Sequence, residues 1–216
     1  IAPWLAWQRA DARRALRKAF PALLAALATM LAVAAYVKTQ AALAALGFGL
    51  AGWLAVSTAL ARARWSPMFF SHLGAAVIVA GITSASLYEQ ELERWVAPGD
   101  RFDFAGFELH YVREELFETP NYNARRGELR ADRPAIILRP EYRTYPIRST
   151  TTSEADIHYS VAYDLYAVLG EASADGGKTA LRLYYVPMMS FIWMGFVLMA
   201  LGGVVSVWKK HGKTAL

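Results

Sequence analysis

The chain has 216 residues and not one cysteine. That excludes a disulfide scaffold and any cysteine-ligated metal site. Charge is also scarce: Lys, Arg, Asp and Glu make up 19% of the residues, against 56% hydrophobic ones, and mean hydropathy is +0.23. A chain this apolar is not disordered. Residues 19–88 contain no Asp or Glu at all. No glycine-rich phosphate loop follows a strand pattern, and no serine nucleophile stands in a recognisable setting.

What charge there is lies in blocks. The formal net charge is +5 and the pI is near 9.5. Taken alone, that suggests nucleic acid or an acidic membrane surface as partner. Residues 1–18 hold Arg9, Arg13, Arg14, Arg17 and Lys18 against Asp11 alone. Residues 19–88 add Lys38, Arg62 and Arg64, and the tail adds Lys209, Lys210 and Lys213. Residues 89–187 hold twelve basic and seventeen acidic residues, a net −5, so the remainder of the chain is +10. The basic pI therefore reports membrane orientation and predicts no nucleic-acid partner.

Four apolar runs are long enough for membrane helices, which need about 20 residues. They are Phe20–Val37, Ala41–Ala61, Met68–Tyr88 and Met188–Trp208, and none contains Lys, Arg, Asp or Glu. Pro21 falls in a first helical turn, where proline is tolerated. The first three are joined by short links, which predicts antiparallel neighbours. Gly47, Gly49 and Gly52 on the second run, and Gly195, Gly202 and Gly203 on the fourth, predict close helix approach. Four crossings put ten basic residues on one side and Lys38 on the other. By the positive-inside rule, both termini are expected in the cytoplasm and residues 89–187 outside it. The expected segments are a basic cytoplasmic stretch over 1–18, three transmembrane helices over 19–88 and an extramembrane domain over 89–187. A final helix over 188–208 and a cytoplasmic tail over 209–216 complete them. The opening residues resemble a loop between helices, so the chain is expected to be the carboxy-terminal piece of a longer membrane protein.

The outer block is expected to be all-β. Arg101–Phe104 and Phe107–Val112 alternate around Gly106. Further short strands are expected at Glu128–Arg130, Ala135–Arg139, Tyr142–Arg148, Asp156–Val161, Tyr163–Leu169 and Thr179–Val186. These short, evenly spaced strands predict a small barrel or sandwich. The Ser149–Ser153 run reads as a flexible loop whose hydroxyls could contact a partner backbone. Glu89, Glu91 and Glu93 read as a solvated acidic run, with a cation site the alternative.

Among the four histidines, His72 stands out, because ionisable side chains inside membrane helices are rare and usually functional. It is either a haem axial ligand or a neutral histidine bonded to its surroundings. Gly74, Ala75 and Ala76 leave room for a flat macrocycle beside it. His110 and His158 on strands, and His211 in the basic tail, read as surface or satisfied residues without a metal-type cluster.

Several stretches resemble the CcmF family, the haem lyases of cytochrome c maturation, and the related NrfE-type lyases. These are His72-Leu73-Gly74-Ala75-Ala76-Val77, Pro120-Asn121-Tyr122, Pro140-Glu141-Tyr142-Arg143-Thr144-Tyr145 and Ser153-Glu154-Ala155-Asp156-Ile157. They continue with Asp164–Gly170, Arg182–Pro187, Ile192–Gly195 and Leu198–Gly203, all in family order. Thr119, Ser153, Asp156 and Val186 depart from the family's commoner residues. The resemblance implies a bacterial inner-membrane protein that helps attach haem to apocytochrome c, with residues 89–187 periplasmic. It implies a haem b held in the membrane by His72, with the second ligand outside this chain, and haem also as substrate. Arg62 and Arg64 are the candidate propionate contacts. The implied partners are apocytochrome c, a CcmH-type thiol chaperone and the remainder of CcmF. The family's tryptophan-rich haem-handling segment has no match here, so catalysis by this chain alone is left open. The missing cysteines agree with thiols supplied by the partner. A non-catalytic membrane assembly module is the alternative reading.

Overall fold

The computed structural model describes residues 12–36, 41–60 and 66–211. It divides into two compact units: residues 1–87 with 188–216, and residues 88–187.

The first unit is helical. Its elements are α1 (Ala12–Tyr36), α2 (Ala41–Leu60), α3 (Pro67–Tyr88) and α4 (Met189–His211). Ala42–Leu60, Pro67–Tyr88 and Met189–Lys209 are long and apolar enough to cross a membrane. The apolar part of α1 is shorter, Phe20–Ala35, because Arg13, Arg14, Arg17 and Lys18 occupy its first turns. Of the four expected spans, three are full-length and the first, in α1, is shorter among the described residues. Large apolar side chains such as Leu24, Leu31, Leu46, Phe196 and Val204 face outward, as a lipid solvent permits.

Small residues set the helix contacts. A Cβ on Gly49 would run into Met30 of α1, and one on Gly52 would lie 3.1 Å from Thr29 Oγ1. Gly47 of α2 closes on Thr83 of α3. The contacts of α3 and α4 bring backbone close to backbone. A Cβ on Gly81 would stand 2.9 Å from Ile192 Cγ1, and one on Gly202 would stand 2.9 Å from the Pro67 carbonyl oxygen. Lipid offers no hydrophobic drive for such pairs, so close backbone approach and dispersion supply it. Gly203 has no neighbour within 4 Å and is not part of this face. Threonines inside the helices satisfy themselves locally. Thr29, Thr58 and Thr83 each donate to the carbonyl four residues back, at 2.8, 2.7 and 2.7 Å.

The second unit is a β-sandwich. One sheet has the order β1 (Gln90–Val96), β10 (Thr179–Pro187), β9 (Tyr163–Ala172), β8 (Asp156–Tyr159). The other runs β2 (Arg101–Phe104), β3 (Phe107–Glu118), β4 (Asn123–Asp132), β6 (Glu141–Tyr145), β7 (Thr150–Glu154), with β5 (Ala135–Leu138) also on β4. All pairs are antiparallel. Period-two alternation fills the space between the sheets. Leu165, Ala167, Leu169, Leu181 and Leu183 come from the first sheet, and Phe102, Leu109, Tyr111, Leu129 and Leu138 from the second. Each fully buried leucine contributes about 2 kcal/mol. Phe107 joins the sheets by packing 5.3 Å from Tyr163, which stacks on Tyr185 at 5.3 Å.

Two strands correct the sequence reading. Glu91 and Glu93 are solvated, as expected, but they belong to a regular strand and not to an irregular juxtamembrane segment. They lie on the exposed face of β1, opposite Tyr184 and Arg182 of β10. Arg182 reaches both, at 3.5 and 2.9 Å. Ser149–Ser153 is not a flexible loop: Thr150–Glu154 pairs residue for residue with β6. In both cases the neighbouring strand supplies a regular ladder that the local composition did not announce.

Candidate functional site

His72 sits in the second turn of α3, partly buried. Its Nδ1 lies 2.9 Å from the Met68 carbonyl oxygen. A carbonyl oxygen can only accept, so Nδ1 carries the hydrogen. In the neutral ring Nε2 then holds the lone pair. Residues 72, 76, 79 and 83 form one stripe of α3, by helical spacing. That stripe meets α2 at Thr83 against Gly47.

The expected spacer role of Gly74 is corrected. Its open side is filled by Gly195 and Met199 of α4, with Met199 N 2.9 Å from a would-be Cβ. Gly74 therefore makes room for α4 and not for a macrocycle on the His72 side. Ala76 is buried beside it.

The donor set fits a haem iron in one respect, an imidazole whose Nε2 is left available by a backbone contact on Nδ1. The same unit also contains two buried polar atoms, Trp53 Nε1 and Ser57 Oγ, with no hydrogen-bond partner among the described residues. They stand one turn apart on α2. Arg62 and Arg64 lie outside the described residues. No group of three or more His, Asp or Glu able to hold a metal ion occurs among the described residues.

The strand histidines are not brought together. His110 is on β3, opposite Arg101 and Arg130. His158 is on β8 of the other sheet, its ring 6.1 Å from Tyr163. His211 ends α4, and its side chain is outside the described residues.

The β unit holds polar clusters that the sequence did not reveal. A bulge in β3 between Tyr111 and Arg113 shifts the alternation, so that Tyr111 and Glu114 share the inward face. Tyr111 Oη donates to Glu114 Oε2 at 2.7 Å, and Thr179 of β10 donates to the same oxygen at 2.8 Å. Arg125 Nε lies 3.1 Å from Glu114 Oε1, and Arg125 Nη2 donates to the Gly170 carbonyl of β9 at 2.5 Å. Gly127 admits the Tyr111 ring, since a Cβ there would come within 2.8 Å of it. Burial, reinforced by the Glu114 carboxylate, pushes the Tyr111 phenol well up.

On the outer face, Glu128 is only 4% exposed beneath arginines. Arg113 donates to it at 3.1 Å, Arg130 Nε at 2.6 Å, and Arg139 lies 3.4 Å away. Glu141 accepts from Arg126 at 2.7 and 2.5 Å and from Arg143 at 2.8 Å. Burial would raise both carboxyls. The arginine hydrogen bonds and charges outweigh it and hold both below the ordinary range. Arg126 stacks 4.6 Å from the Phe117 ring centroid and Arg143 stacks 4.7 Å from that of Tyr122. On this face Arg113, Arg126, Arg130, Arg139 and Arg143 thus converge on two buried carboxylates.

Comparison with known proteins bears on both units. Residues 87–187 match the family model described as the CcmF C-terminal beta-sandwich. The cytochrome c-type biogenesis protein ccl1 of Rhodobacter capsulatus is 29% identical over 97% of this chain and 35% of its own length. The cytochrome c-type biogenesis protein CcmF of Pseudomonas aeruginosa is 34% identical over 72% of this chain and 24% of its own. The CcmF of Escherichia coli is 33% identical over 76% of this chain and 27% of its own. The chain thus spans roughly a quarter to a third of these relatives. A solved structure described as Cytochrome c Heme Lyase CcmF shares the fold, with a TM-score of 0.74 and 23% identity over 95% of this chain and 37% of that one.

Proposed function

From its matches to a carboxy-terminal CcmF region, we propose that this chain is part of a membrane haem lyase of cytochrome c maturation. The reading rests above all on His72, an imidazole in an apolar helix with Nδ1 bonded to Met68 and Nε2 left for a ligand role. In it, His72 would hold a haem b, and the second ligand would come from outside this chain. When bound, that haem supplies one-electron redox chemistry.

The chain's own residues do the rest. The Met68 carbonyl fixes the tautomer and aims the ring. The glycine contacts between α3 and α4 fix the height and rotation of α3. The apolar helices exclude water. Arg62 and Arg64 are the propionate contacts in this reading, and Trp53 and Ser57 are buried donors available to polar groups in the same unit. The chain has no cysteine, so the thiols that react with the haem substrate belong to apocytochrome c.

The helices sit in the bacterial inner membrane, with residues 1–18 and 209–216 cytoplasmic and 89–187 periplasmic. The β domain docks apocytochrome c or a CcmH-type thiol chaperone, and its −5 charge steers basic chains toward it. The rest of CcmF completes the lyase.

The test is the reduced absorption spectrum of the full-length protein carrying His72→Ala. Loss of the haem b bands, with the protein still inserted and folded, is the expected result. Undiminished haem b would remove His72 as a ligand. A second reading, a non-catalytic assembly module, draws on the β unit closing its own core. An intact haem spectrum in that variant, together with partner capture lost on deleting 89–187, favours it.

A further inference from the structure

The two sheets of the sandwich end on four strands, and three of these carry devices that discourage pairing with another chain. β1 spreads Glu91, Glu93 and Arg94 along its length. β2 has only four residues, two of them Arg101 and Asp103. β8 also has four, and Asp156 ties it down by accepting the Arg139 backbone N–H at 2.6 Å.

β7 is less protected: its single charge, Glu154, is taken up by Arg143 of β6 at 3.7 Å and by Thr152. Its five residues pair with β6 in unbroken register, and the sequence Thr-Thr-Thr-Ser-Glu contains no lysine and no proline. Thr150, Thr151, Thr152 and Ser153 are exposed. A strand like this leaves alternate backbone N–H and C=O groups pointing away from the sheet, and β-branched threonines suit further pairing.

The surroundings add chemistry. An open groove beside β7 is lined by Tyr145, Ile147, Arg148, Thr150 and Thr152. Ile147 is 91% exposed. Elsewhere on this sheet Arg113, Arg125, Arg126, Arg130, Arg139 and Arg143 each have a glutamate partner. Arg148 has no carboxylate within ion-pair distance among the described residues.

We propose that β7 is a docking edge for an extended, acidic segment of a partner protein. The segment adds as the next strand beyond β7, and its main chain satisfies the outward amides and carbonyls. One of its carboxylates pairs with Arg148, and an apolar side chain covers Ile147 and Tyr145. The proposal does not depend on His72 holding haem, so a failed titration leaves that reading standing.

The experiment uses the full-length membrane protein in detergent. Two fluorescein-labelled peptides share a valine-threonine β pattern, one with Glu and one with Lys at every third position. Anisotropy reads binding, and amide exchange over 150–154 reads its place. The Glu peptide is expected to saturate and to slow β7 exchange. Arg148→Glu, an exposed change, is expected to weaken it about tenfold and to turn the preference toward the Lys peptide. Any of four results overturns the proposal: no saturable binding, equal binding of both peptides, protection away from β7, or an Arg148→Glu variant that binds as before. Self-association through β7 that the Glu peptide does not displace would assign the edge to a second copy instead.

Discussion

Gly74 of α3 and Gly195 of α4 each lie where a Cβ would stand 2.6 Å from the carbonyl oxygen of the other. The pair is reciprocal and backbone-to-backbone, so no flexible side chain can yield. A Cβ on Gly195 would in addition collide with Ile78. Gly195→Ala is therefore expected to separate the helices locally and to cost about 1–3 kcal/mol, as overpacking does. Gly203→Ala, one helix position with open space, is the control and is expected to be neutral or slightly stabilising. Thermal denaturation of the full protein in detergent compares them. Equal midpoints would show that the close approach carries no stability.

Arg125 holds the two sheets together. Its guanidinium touches Glu114 on its own sheet and the Gly170 carbonyl on the other, and its side chain is 15% exposed. Arg125→Ala leaves the partly buried Glu114 carboxylate without its charged partner, held only by the Tyr111 and Thr179 hydroxyls, at a cost of about 3 kcal/mol. Arg113→Ala removes a half-exposed guanidinium, and Glu128 keeps Arg130 and Arg139. That change should cost less than about 1 kcal/mol. Denaturant midpoints followed by the β signal in circular dichroism should rank the two in that order.

Acid should loosen the β unit through Glu128 and Glu141. Their folded-state pKa values are depressed by the arginines, while the unfolded chain has ordinary ones. Between the two values the unfolded state binds more protons, so stability falls as pH drops. The contribution is complete above the ordinary value of 4.5 and is lost as pH falls through the depressed values. Asp164 acts oppositely. It is buried, its Oδ1 has no hydrogen-bond partner among the described residues, and burial raises its pKa against the Ser160 hydrogen bond and the His158 charge. Its ionised form therefore weakens the fold at neutral pH. Asp164→Asn should raise the melting midpoint at pH 7, by about 1 kcal/mol in stability, and change little near pH 3. A variant less stable than the parent at pH 7 would mean that the charge is compensated.

Much of the fold was legible in the order of residues. Apolar runs without a charge mark α2, α3 and α4, and alternation such as Leu165-Tyr166-Ala167-Val168-Leu169 marks a strand with one face buried. β1 escaped notice because its inward positions are Leu92, Arg94 and Val96, with an arginine where a strand core is apolar. Arg94 is accommodated by stacking 4.2 Å over Phe102 of the opposite sheet, a partner that no local pattern announces. β7 has no apolar residue at all and exists because β6 offers it a ladder.

The candidate site divides in the same way. His72 and its Met68 contact are four residues apart on one helix, so spacing alone brings them together. The use of Gly74 for α4, the sharing of Glu114 by Tyr111 and Thr179, and the lone guanidinium of Arg148 beside an open edge are all meetings of distant segments.

The blank in cysteine and the blocks of charge were thus properties of the chain itself. They determined that the protein has an apolar helical part and a separate acidic β part, because hydropathy and period act over a few neighbouring residues. Which glycines touch, which carboxylates are covered and which strand edge stays bare were decided only in three dimensions. Those depend on packing between residues up to a hundred or more positions apart, such as Gly74 and Gly195.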